Sequence, residues 1–150
     1  MSTMQIDVSP ALKRAGRRFG YGVAVMINVA MLIVVQYIYD WGWLPFLTVE
    51  FAEVVPWISF SLMASILANL VYQFNEAPPV KSSGQILVNL ISIFVSYRVF
   101  QIFPFDFTGF DIDWAIVVRI VLILAMVGAG IGVLTEAFKL ASSGPEKGGR

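Results

Sequence analysis

The sequence contains neither cysteine nor histidine. Without cysteine there is no disulfide framework and no thiolate chemistry; without either residue, no His-ligated haem and no zinc site with the usual nitrogen and sulfur ligands can be built from this chain alone. An acid–base or nucleophilic site would have to come from Ser with Lys or from paired carboxylates. The acidic residues cluster without a characteristic spacing, so the expected class is non-enzymatic, with no cofactor and no metal. Charge is scarce too: only 13% of the 150 residues are Asp, Glu, Lys or Arg, against roughly a quarter in an average soluble domain.

What the chain has in excess is apolar residues, 58% of the total, gathered in four runs that are too long and too poor in charge for ordinary core helices. About 20 such residues at about 1.5 Å each cross a hydrocarbon layer of about 30 Å as one helix. The spacing predicts spans over about 19–39, 54–73, 84–103 and 112–137 within a membrane domain at 19–141. A basic juxtamembrane segment at 1–18 precedes it and a disordered tail at 142–150 follows. The expected fold is all-α: a polytopic integral membrane protein, a four-transmembrane-helix antiparallel bundle with both termini cytoplasmic.

The punctuation supports this division. Ser9 followed by Pro10 reads as a helix start, with a capping oxygen and a pre-set backbone angle. The first apolar run exceeds the roughly 7 to 15 residue core of a signal peptide, so it reads as a retained anchor. Asp40 to Glu53 is aromatic and amphipathic, suited to an interface. Gln73 to Ser83, containing Pro78 and Pro79, reads as a polar break. Asp111 or Asp113 is placed to cap the fourth helix, which can run on to about Ser142.

Charge gives the orientation. Lys13, Arg14, Arg17, Arg18, Lys81, Lys139, Lys147 and Arg150 all fall on the side shared by the termini and the central break. The other two loops hold no basic residue; they hold Asp40, Glu50, Glu53, Asp106, Asp111 and Asp113, with all four tryptophans at or beside them. Basic loops remain cytoplasmic, so the expected location is the cell membrane with both ends inside. Lys13, Arg14, Arg17 and Arg18 share one side of a helix and are placed to contact anionic inner-leaflet lipid. Four charges beside a membrane helix point to lipid, not to nucleic acid.

Within the spans, Gln85, Asn89, Ser92 and Ser96 fall in an arc of about 60°, one polar stripe on the third helix. Arg98 and Gln101 point away from it. Such a stripe lines a hydrated path or bonds to neighbouring helices, with Asn28 and Asn69 as the expected partners. Arg98 and Arg119 lie at similar depth below the loop end. An intramembrane Arg costs about 2.5–3.5 kcal/mol on insertion scales, which makes each a candidate for pairing with Glu50, Glu53 or Asp111, or for binding an anion or lipid headgroup. Small residues recur four apart, as in Gly20 with Ala24, Ala64 with Ala68 and Gly128 with Gly132, and let helix backbones approach closely. The glycines from Gly128 to Gly132 lie mid-span with no following Lys-Ser/Thr, so they are no phosphate loop.

The expected function is that of a small multi-pass protein acting through helix-mediated assembly, with itself or as an accessory subunit of a membrane complex. The alternative is a minimal oligomeric channel or transporter, for an anion or lipid headgroup, that uses Arg98 and Arg119.

Overall fold

A computed structural model describes residues 9–144. Four helices account for most of it: α1 (Pro10–Tyr37), α2 (Phe51–Phe74), α3 (Pro78–Ile102) and α4 (Trp114–Ser142). Each is long and apolar enough to cross a membrane, and no strand occurs among the described residues. The expected tail beyond Gly144, with Lys147 and Arg150, lies outside them, as does the segment before Ser9.

The helix boundaries follow local chemistry. Ser9 Oγ accepts from the Leu12 amide and Pro10 opens α1, so Lys13, Arg14, Arg17 and Arg18 are carried on its first turns. Asp113 accepts from the Ile116 amide and caps α4. The central break is shorter than expected. Pro78 and Pro79 begin α3 instead of interrupting the chain, because the first amides of a helix have no intrahelical partner to lose. The connector shrinks to Asn75–Ala77, closed by a 3.0 Å bond from the Ala77 amide to Asn75 Oδ1, and Lys81, Ser82 and Ser83 become helical.

The helices pack in sequence: α1 on α2, α2 on α3, α3 on α4, with no close backbone approach between α1 and α4. Every consecutive pair is antiparallel. Gln36 donates to Ser59 at one level of α1 and α2 while Arg17 meets Glu76 at another. Trp57 meets Phe94 and Tyr72 meets the Lys81 carbonyl between α2 and α3. Arg119 meets Phe103 and Glu136 meets Ser82 between α3 and α4.

The two ends of this row differ. At the end bearing the aromatic loops, Phe51, Val54, Val95 and Val99 form a buried core, with Ile91, Ile102, Phe105 and Leu122 packed around it. Val95 and Val99 are one turn apart and present a single apolar ridge to Val54, which is completely buried. The loops add a staple: the Thr48 amide donates to the Pro104 carbonyl at 3.1 Å and the Asp106 amide to the Phe46 carbonyl at 2.8 Å. Leu47 and Phe105 thereby pair across the two hairpins. Phe46 stacks on Phe107 at 5.3 Å between centroids and meets Phe105 at 6.4 Å. At the opposite, basic end the row is not closed, and the space between α1 and α4 is a cleft.

Candidate functional site: a polar cleft at the basic end

The cleft occupies about 890 Å³ and draws its walls from all four helices. Tyr21 comes from α1, Asn69 and Tyr72 from α2, Ser82, Gln85 and Asn89 from α3, and Thr135, Glu136 and Lys139 from α4. Of the polar residues along one face of α3, Gln85 and Asn89 line the cleft, while Ser92 and Ser96 sit half-buried further along. Asn89 is pressed against α4, where a Cβ added to Gly132 would lie 2.5 Å from its Nδ2. That contact explains a glycine at this position and turns one member of the Gly128/Gly132 pair inward. The expected amide partners behave differently. Asn28 donates to the Ala24 carbonyl and Asn69 to the Ser65 carbonyl, each within its own helix.

Two ion pairs occur among the described residues, and both border this cleft. Arg17 meets Glu76 at 3.2 Å and Lys139 meets Glu136 at 2.8 Å. The second carboxylate also receives a 2.7 Å hydrogen bond from Ser82 Oγ, and Ser82 is itself buried. Ser82 gives its proton to a carboxylate already matched by Lys139, so the pairing ties α3 to α4 and does not make an activated nucleophile. Glu76 lies in the connector, and the hydrogen bond from Arg17, helped by the charges of Arg17, Arg18 and Lys81, holds its carboxyl below the usual range. Its Oε2 takes Arg17, while Oε1 is buried with no partner. Lys81 Nζ stands 5.4 Å from the centroid of Tyr21, and Tyr21 in turn tilts against Tyr72 at 5.7 Å. Gly84 leaves room for that second ring: a Cβ there would overlap the Tyr72 hydroxyl and lie 3.0 Å from the ring edge.

The arginines form no site together. Arg98 stands over Trp57 of α2, 5.7 Å from the ring, and Arg119 covers Phe103 at 4.3 Å and Phe100 at 5.4 Å. Phe100 and Phe103 lie about 140–200° around α3 from Arg98, so the two guanidiniums occupy opposite flanks of that helix. The pairing expected with Glu50, Glu53 and Asp111 is not formed; those carboxylates are exposed, and flat aromatic faces take the cations instead. Asp106, in the same region, is occupied by the Thr108 amide at 2.9 Å.

The remaining small residues divide by use. Ala64 and Ala68 join Gly84 along an apolar groove of about 430 Å³ between α2 and α3. Gly20 and Gly128 have open space where a Cβ would stand. Ala24 is half-buried and offers its carbonyl to Asn28. Lys13, Arg14 and Arg18 are exposed on the first turns of α1.

Sequence reasoning missed Ser82, Glu136, Lys81, Glu76, Tyr21 and Tyr72 as a group. One signal is present in the sequence: Ser82 continues the stripe one turn back from Gln85, within the polar stretch ahead of the expected third span. Searches against protein-family models, curated proteins and solved structures found no match.

Proposed function

We propose that this chain is a small non-catalytic multi-pass protein of the cell membrane, with its basic end and both termini in the cytoplasm, that works through helix-mediated assembly with itself or as an accessory subunit of a membrane complex. The observation that carries this reading is the state of α4. It is the most apolar of the four candidate spans, packs on α3 alone and buries none of its residues, yet presents Gly128 with nothing within 4 Å. In lipid, apolar exposure alone drives no association; a small residue that lets a second backbone approach does.

The experiment is native mass spectrometry from membranes, with Gly128→Leu beside the parent. A Leu there meets open space inside the chain and blocks close approach from outside, so the variant should fold and lose its multimer or its companion subunit. A parent that emerges as a lone monomer, with no crosslinked partner in cells, contradicts the reading. The channel or transporter alternative gains no support from Arg98 and Arg119, which do not converge.

A further inference from the structure

The cleft at the basic end shows a pattern of unmatched groups that no packing role explains. Lys81 and Lys139 line it with two carboxylates, Glu76 and Glu136, and Arg17 reaches Glu76 at its rim. Both carboxylates are taken by cations, Glu76 by Arg17 and Glu136 by Lys139. Lys81 forms neither of these pairs and stands over the Tyr21 ring. Positive charge is therefore in excess, and a ligand with a net negative charge is favoured over one that adds an ammonium.

The same walls ask for hydroxyl groups. Glu76 Oε1 is buried and lacks a donor. The neutral side chains Asn69, Gln85, Asn89 and Thr135 line the space beyond Lys81, and such amides and hydroxyls both give and accept hydrogen bonds. A phosphate oxygen beside Lys81 with a polyhydroxyl group reaching outward to Glu76 would satisfy both demands, and the amides further in would meet the glycerol ester oxygens.

The shape of the opening selects the source. The walls of the cleft include Tyr21 of α1 and Thr135 of α4, helices whose backbones do not approach each other closely anywhere. At 28 and 29 residues they extend about 42–44 Å, beyond the roughly 30 Å of a hydrocarbon layer. With the loop ends at one surface, their surplus falls at the basic end and sets the cleft at headgroup depth. A lipid can place its headgroup inside while its chains stay in the apolar seam between α1 and α4.

We infer that this cleft binds the headgroup of an anionic polyol phospholipid, with Lys81 at the phosphate, Glu76 at the hydroxyls on the outer side of it, and Gln85 and Asn89 at the glycerol ester oxygens further in. The inference rests on the membrane-spanning part of the proposed function and not on assembly.

The test uses the full chain in nanodiscs of phosphatidylcholine doped with equal small amounts of phosphatidylinositol and phosphatidylserine, which carry the same net charge. Lipids retained by the protein are weighed by native mass spectrometry, and accessibility of an introduced Thr108→Cys reports insertion separately. The expected result is phosphatidylinositol retained about tenfold over phosphatidylserine, because a site built for hydroxyls rejects a headgroup that lacks them. Glu76→Ala should bring that ratio toward one, Lys81→Gln should lower the retention of both lipids severalfold, and Asp40→Asn, exposed at the opposite end of the row, should change neither. Equal retention of the two lipids, a ratio indifferent to Glu76→Ala, or total retention indifferent to Lys81→Gln in a folded and inserted protein, overturns the inference. Displacement of the lipid by an equal concentration of soluble inositol phosphate overturns the lipid as source.

Discussion

Ser82 and Glu136, separated by 54 positions, are joined by a 2.7 Å hydrogen bond at the point where α3 and α4 meet the cleft. The bond closes the α3–α4 hairpin at its open end, much as the Leu47–Phe105 pairing closes the molecule at the other. Ser82→Ala leaves a half-buried carboxylate with Lys139 as its remaining partner, and should cost about 1.5 kcal/mol of stability in detergent, the low end for a hydrogen bond to a charged group. Ser82→Thr should keep most of it. Thermal unfolding of the two variants beside the parent checks the claim, and an unchanged midpoint for Ser82→Ala contradicts it.

Gly84 faces the Tyr72 ring, which is held between Tyr21 and the Lys81 carbonyl and cannot swing aside. Gly84→Ala should therefore destabilise by about 1–3 kcal/mol, the usual range for overpacking. Gly132→Ala should cost less, because the atom it meets is the tip of a mobile Asn89 amide. Paired melting curves measure the order, and a Gly132→Ala penalty larger than that of Gly84→Ala would be the wrong sign.

The aromatic staple is a separate unit. Phe105 touches Phe46, Phe103 and Phe107 while its strand-like backbone pairs with Leu47. Phe105→Ala should cost about 2 kcal/mol, roughly half the value for a fully buried ring since this one is partly exposed. It should speed hydrogen exchange at the Thr48 and Asp106 amides and leave the Asn89–Gly132 contact region unaffected. Exchange that accelerates equally at both ends would show the two to be one cooperative unit.

The Arg17–Glu76 pair gives a dependence on pH. Because the Glu76 carboxyl is held below its usual value by the hydrogen bond from Arg17, the pair stabilises the protein above the ordinary carboxylate range. That contribution is lost as pH falls through the lowered folded-state value. The stability difference between the parent and Glu76→Gln should be constant near neutrality and shrink below the ordinary value of 4.5. A difference that grows on acidification contradicts the assignment.

Much of the fold was legible because length and apolarity leave few choices for such segments. Ser9 and Asp113 cap α1 and α4 as their residue types suggest, and Ser142 ends α4 as expected. Arg98 does face away from the stripe of Gln85 and Asn89, since helical periodicity fixes azimuth. What periodicity cannot give is which neighbour a face meets. The acids near Arg98 and Arg119 were the plausible partners by charge, whereas rings supplied by Trp57 and Phe103 took those places. The pairing of Leu47 with Phe105 was invisible because loop segments carry no period that declares a partner. Reading Pro78-Pro79 as a break, when it is a helix start, displaced Ser82 from α3 and hid the cleft.

The central claim is that the chain crosses the membrane four times with its basic end in the cytoplasm, and single thiols test it most directly because the sequence supplies no cysteine of its own. Thr108 and Ser83 are both exposed and lie at opposite ends of the row. A membrane-impermeant maleimide applied to intact cells should modify Thr108→Cys and should reach Ser83→Cys only after permeabilisation. Modification of Ser83→Cys from outside, with Thr108→Cys protected, would contradict the account.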